Sequence, residues 1–235
     1  LKFYISNVGN YNDITPLRNT VSLTNPFTTT SGSAVVTVAD SNGGYQNGDY
    51  VTFSNASAVG GLTLNGEFVV NFSVTTAAGT YTITAASNAS SSAAGGGTVS
   101  AAYQINVGNA FAVPLVGWGA SSWGSGAWNV GESSTTEIRF WSQSNFGEDL
   151  IFGNDGGSLY YWDATGGVGS RAVELSSLSG ASNVPITQNL ILVSDISRFV
   201  FCFGTNEAGT SVVDPTLVRW SDQEDATNWT PSATN

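Results

Sequence analysis

Chemistry in this chain would have to come from carboxylates and indoles. The sequence holds 17 Asp+Glu and seven Trp, no His, no Met and a single cysteine, Cys202. Without His there is no Ser-His-Asp or Cys-His nucleophile system, no imidazole acid-base catalysis and no His-ligated zinc. One Cys excludes disulfides, CxxC redox pairs and thiolate zinc clusters, and its place in the most apolar run of the sequence reads as a small core residue. Carboxylate pairs could run glycoside hydrolysis, one as acid and the other as base or nucleophile. The candidates are Glu148-Asp149 and the group Asp222, Glu224 and Asp225. Sequence neighbours on a strand or turn face different ways, so these acids read first as turn caps and a solvated acidic edge. Calcium at Asp222 to Asp225 or at Asn154-Asp155 lacks the D-x-[DN]-x-[DN]-G spacing, and neither a Walker loop nor GxGxxG occurs. The expectation is no catalytic residue, no metal and no cofactor.

The indoles are more distinctive. Trp118, Trp123 and Trp128 recur every five residues within a run of Gly, Ala and Ser. Such a run could be an aromatic platform on which sugars stack. It could equally be an extended arm whose Trp side chains anchor it in grooves between structural units or subunits, with Gly permitting close backbone approach; the second reading is preferred because Trp is usually buried.

The elements that must position these residues are strands. No window of eleven residues carries a helical apolar stripe, whereas short alternating or apolar runs bounded by Gly, Asn and Asp recur throughout. Residues 1–23 give a strand at Leu1 to Ser6, a turn at Gly9-Asn10 and a strand stopping before Pro16. Residues 24–104 contain no Lys or Arg and only three acids, Asp40, Asp49 and Glu67, and read as a separate small β domain. Its expected strands are Ala34 to Ala39, Tyr50 to Ser54, Glu67 to Val74 and Thr80 to Ala85, with Ser87 to Gly97 as a loop or irregular edge. From 105 onward a weak repeat appears. Asp149 to Gly153 followed by Leu159 to Asp163 parallels Phe199 to Gly204 followed by Leu217 to Asp222, with 58 positions from Trp162 to Trp220. That length suits a four-stranded blade with an elongated loop, so the expected fold is all-β, part of a β-propeller.

Charge narrows the partners. The net charge is −11 and only 10% of residues are charged, against roughly 25% in ordinary domains. Gripping nucleic acid or an anionic membrane surface needs clustered Lys and Arg, which are missing. No apolar run reaches the ~18 residues of a membrane span, and no basic stretch followed by an apolar one marks a signal peptide at the start. The sequence opens on Leu1 and reads as a processed or truncated piece of a longer protein.

Several longer motifs resemble a known family. Asn12 to Arg18, the Trp/Gly arm, Phe140-Trp141-Ser142 through Asn145 to Leu150, Tyr161-Trp162-Asp163, Arg219 to Asp225, Asn228-Trp229-Thr230-Pro231 and Ala233 to Asn235 are similar to structural proteins of tailed bacteriophages, specifically the propeller-type tail tube or nozzle proteins of short-tailed phages. Residues 24–104, with Asn25-Pro26-Phe27, Asn65-Gly66 and Gly95-Gly96-Gly97, resemble a β-barrel that phage proteins share with the first catalytic cysteine half-domain of ubiquitin-activating enzymes; this segment has no Cys, so no such chemistry is implied. The resemblance implies three regions: propeller strands at 1–23, an inserted barrel at 24–104, and propeller blades with the arm at 105–235. Trp141, Trp162, Asp163, Trp220, Asp222 and Trp229 would then be propeller motif residues. It implies a non-catalytic virion tail component assembled in the host cytoplasm. Its partners would be further copies in a ring of six, and other tail or adaptor proteins, with genomic DNA passing an acidic wall unbound and no membrane insertion. A receptor- or carbohydrate-binding tail module is the alternative, and a glycoside hydrolase resting on carboxylates alone the third.

Overall fold

A computed structural model describes residues 2–71, 78–108 and 139–232. The arm with Trp118, Trp123 and Trp128 lies outside the described residues. The chain is all-β. β1 (Tyr4–Asn7) and β2 (Asn10–Asp13) form a hairpin. β3 (Leu17–Thr24), β4 (Phe27–Thr29), β5 (Val35–Ala39), β6 (Tyr50–Ser54), β7 (Gly66–Val69), β8 (Thr80–Thr84), β9 (Ala93–Gly95) and β10 (Thr98–Gln104) follow. Then come β11 (Trp141–Phe146), β12 (Asp149–Asn154), β13 (Leu159–Trp162) and the short β14 (Val173–Glu174). The chain closes with β15 (Leu190–Val193), β16 (Val200–Asn206) and β17 (Val213–Trp220).

Two compact units result, one of Ile14–Asn106 with Gly169–Glu174, the other of Leu1–Asp13, Val107–Val168 and Leu175–Asn235. In the first, two four-stranded sheets, ordered β3-β10-β6-β7 and β8-β5-β4-β9, enclose one core. Alternation explains the sheets. Val36 and Val38 on β5 face inward opposite Ile83 and Tyr81 on β8, and the row continues on β4 with Phe27 opposite Val38. On the other sheet Val99, Ala101 and Tyr103 of β10 join Val51 and Phe53 of β6, and the rings of Phe27 and Phe53 meet edge to face at 5.0 Å. The sheets meet at one corner, where Asn71 and Thr82 exchange backbone hydrogen bonds, and among the described residues no closed barrel forms. The stretch Ser87 to Gly97 contributes β9, an edge strand paired with β4.

Two buried carboxylates fix the loop after β5. Asp40 is 1% exposed and accepts hydrogen bonds from the Tyr103 hydroxyl at 2.8 Å and the Asn42 amide at 2.9 Å, while the Tyr81 and Tyr103 hydroxyls lie 2.8 Å apart. Burial raises the phenol pKa values of Tyr81 and Tyr103 far above the ordinary range, and the hydrogen bond to Asp40 raises Tyr103 further. Asp49 pairs with the Arg18 guanidinium at 2.8 Å and accepts the amides of Gln46 and Asn106. An otherwise cation-free stretch thus borrows its counter-charge from β3.

Candidate functional site

In the second unit β11-β12-β13 and β15-β16-β17 are antiparallel sheets that share a core of Ile151, Leu159, Ile191, Val193, Val200, Cys202 and Trp229. Their first strands lie side by side and run the same way. The Ile191 amide donates to Ser142 Oγ at 3.1 Å and the Val193 amide to Ser144 Oγ at 3.2 Å. The hydrogen-bond phase shows which faces meet. The Asp155 amide donates to the Phe140 carbonyl, so the inward pairs Ser142/Gly153 and Ser144/Ile151 are hydrogen-bonded pairs. The Ser194 amide donates to the Phe199 carbonyl, so the inward pairs Ile191/Cys202 and Val193/Val200 are the non-hydrogen-bonded ones. For L-residues those two sets lie on opposite faces of a hairpin with given strand directions, so the sheets stack front to back.

The outward face of the second sheet is apolar and open. Leu190, Phe203 and Val218 form one cross-strand row, and Leu192, Phe201 and Trp220 the next. Leu190 and Leu192 are each 52% exposed and Trp220 is 43% exposed. The outward face of the first sheet is covered in part by Phe3, whose ring sits 4.4 Å from Trp141 and 5.0 Å from Phe152.

Beside Trp220 runs a groove of about 270 Å³, lined by Glu207, Ala208, Leu217, Arg219, Trp229 and Pro231 among others. Its walls are fixed locally. Buried Asn206 donates to the carbonyls of Glu207 and Thr210 and accepts the amide of Ile186, pinning the turn that carries Glu207 and Ala208. A bulge at Gly204 precedes it; there φ is +62°, and a Cβ would meet Asn189 Nδ2 at 2.6 Å, so a side chain would be strained and would displace Asn189. The Arg219 guanidinium donates to the carbonyls of Asn206 and Asn183, and burial lowers its pKa.

The motif residues part company here. Trp162 stands opposite Leu150 in a hydrogen-bonded pair and Trp220 opposite Phe201 in a non-hydrogen-bonded one, so the two ladders are in opposite phase; Trp162 is 4% exposed and Trp220 is not covered. Trp141 donates its indole N–H to the Val107 carbonyl at 2.9 Å; buried Trp229 donates to that of Ala226 at 2.8 Å. Asp163 is fully exposed and caps a 3-10 turn through Thr165. Asp222 is clasped by the Asn228 side chain. Among the described residues the second sheet has three strands where the repeat length suggests four, since the residues between β13 and β15 go into two 3-10 turns, the short β14 and loops.

Several of the carboxylates are occupied structurally, and no side-chain partner stands beside the candidates Glu148 and Glu224 among the described residues. Asp149 accepts the Tyr161 hydroxyl and the Ala164 amide. Asp163, Asp214 and Asp225 each accept both the amide and the hydroxyl of the Thr two positions on, which holds all three below the usual carboxylate range. The shared D-x-T spelling was the sequence signal for these turns. Cys202 is buried, which raises its pKa and leaves the thiol inert. Among the described residues no cluster of three His, Cys, Asp or Glu could hold a metal ion, and no helix is long and apolar enough to cross a membrane.

No family model and no curated protein matches the chain. Among solved structures it is similar to the phage phi92 endosialidase with TM-score 0.32 and 19% identity, over 88% of this chain and 32% of that one. That likeness is too slight to carry fold or function. The chain spans about a third of that protein's length.

Proposed function

We propose that this chain is a non-catalytic structural component of a bacteriophage tail, a propeller-type tube or nozzle subunit that assembles with further copies into a ring around the path of the genome. The observation that carries the reading is the front-to-back stacking of two antiparallel sheets with first strands side by side and parallel, the arrangement of successive blades around an axis. An open apolar face on the last sheet fits a stack that continues against more protein. The motif series of the sequence supplies the phage context. A net charge of −11 suits a wall along which DNA slides, since it repels phosphates. Antibody labelling of purified virions tests it: label on the tail supports the reading, and label on the capsid or on no particle sinks it.

A second reading, a receptor- or carbohydrate-binding tail module, is favoured by the exposed Trp220 beside its groove. Saccharide binding on a glycan array, lost on Trp220→Ala, would support it; no binding at millimolar sugar would count against it.

A further inference from the structure

Among the described residues the outer edge of β17 is an unpaired strand edge, and a groove lies beside it. The Ser221 amide donates to the Val200 carbonyl, which fixes the phase of the β16/β17 ladder: Arg219 turns its backbone groups toward β16, and Val218 and Trp220 turn theirs away. Neither amide has a hydrogen-bond partner among the described residues. Natural edges are blunted by Lys, Pro, bulges or covering loops. On β17 the Pro and the bulge stand at the far end, at Pro215 and opposite Gly204, and Leu217 to Trp220 carries neither.

We propose that this edge receives an extended, basic segment of a different protein, which adds to the sheet as a fourth strand. Backbone pairing with Val218 and Trp220 would provide the register. Apolar side chains on one face of the incoming strand would lengthen the rows Leu190-Phe203-Val218 and Leu192-Phe201-Trp220. Charge selects the occupant. Glu207 lines the groove, Asp214 lies on the same strand, and Asp222, Glu224 and Asp225 follow it, while the local cation, Arg219, is spent on two backbone carbonyls. A second copy of a chain with 17 acids and 6 bases would bring like charge to that edge. The inference stands on the edge and the groove and does not depend on the phage reading.

The probe is an acetylated, amidated seven-residue peptide alternating valine and lysine, titrated into the protein with Trp fluorescence and calorimetry as readouts. Saturable binding is expected, at least about tenfold tighter than for the valine/glutamate counterpart and weakening with salt. N-methylation of alternate peptide amides, which blocks strand pairing without touching the protein, should cost at least about tenfold, and so should Val218→Pro, which removes an outward amide. Equal binding of the N-methylated peptide, or no binding of the lysine peptide at millimolar concentration, overturns the proposal. So does concentration-dependent self-association that Val218→Pro abolishes, because the occupant is then a second copy.

Discussion

Ser142 Oγ accepts the backbone N–H of Ile191 at 3.1 Å, and two residues along Ser144 repeats the bond with Val193 at 3.2 Å. These amides belong to the edge of β15 that turns away from β16, and Ile191 and Val193 are both buried. Serine hydroxyls of one sheet thus satisfy the edge of the next, and the spacing of two on both strands locks their register. Replacement by alanine leaves a buried donor without a partner.

Ser142→Ala and Ser144→Ala should each destabilise the second unit by about 1–2 kcal/mol, the cost of an orphaned buried amide. Urea denaturation followed by Trp emission checks this. A loss under about 0.3 kcal/mol in the double variant would mean that water replaces the hydroxyls and the sheets are not held this way.

Arg18→Met should destabilise the first unit by about 3 kcal/mol, because it strands the buried Asp49 carboxylate with only two backbone amides. Adding Asp49→Asn should recover part of the loss. A double variant less stable than the sum of the single changes would contradict the pairing.

Val8→Asn should stabilise the β1–β2 hairpin by about 0.5–1 kcal/mol. Val8 and Gly9 turn the hairpin at φ +49° and +80°, both left-handed, and a β-branched residue is strained there while Asn is not. Val8 is almost fully exposed, so its side chain gives up no packing. Thermal unfolding and amide exchange at Ser6 and Tyr11 provide the readout.

Alkaline pH should weaken the first unit through its buried phenols. Burial raises Tyr103 and Tyr81 above the unfolded phenol value of about 10. A raised folded value contributes stability that is complete below pH ~10 and is lost as pH rises above it, because the unfolded chain ionises first. Stability should therefore fall as pH rises above about 10, with a late, cooperative rise in absorbance at 295 nm. Tyr103→Phe should flatten that dependence while lowering stability at neutral pH by about 1–3 kcal/mol, since it removes a donor to buried Asp40.

Alternation made the strands legible: Tyr50 to Ser54 reads as a strand from its residues and is one, because each apolar side chain has one inward face to fill. The structure sets the ladders of Trp162 and Trp220 in opposite phase, while their repeat was legible in the sequence. Their different burial was not, because it depends on what lies over each sheet and not on the strand that carries the Trp. Hydrogen bonds between distant segments, such as Ser142 to Ile191 or Arg18 to Asp49, have no periodicity to announce them. The D-x-T turns at Asp163, Asp214 and Asp225 were written locally, and the two-residue spacing that lets one carboxylate accept an amide and a hydroxyl is their whole signal.

The central claim is a ring-forming tail component, and electron cryomicroscopy of intact virions that carry this chain tests it most directly. The account predicts rotationally symmetric copies around a channel wide enough for duplex DNA, with the open face of β15-β16-β17 packed against further protein. A peripheral fibre or spike position, with Trp220 facing solvent or a host glycan, would contradict it.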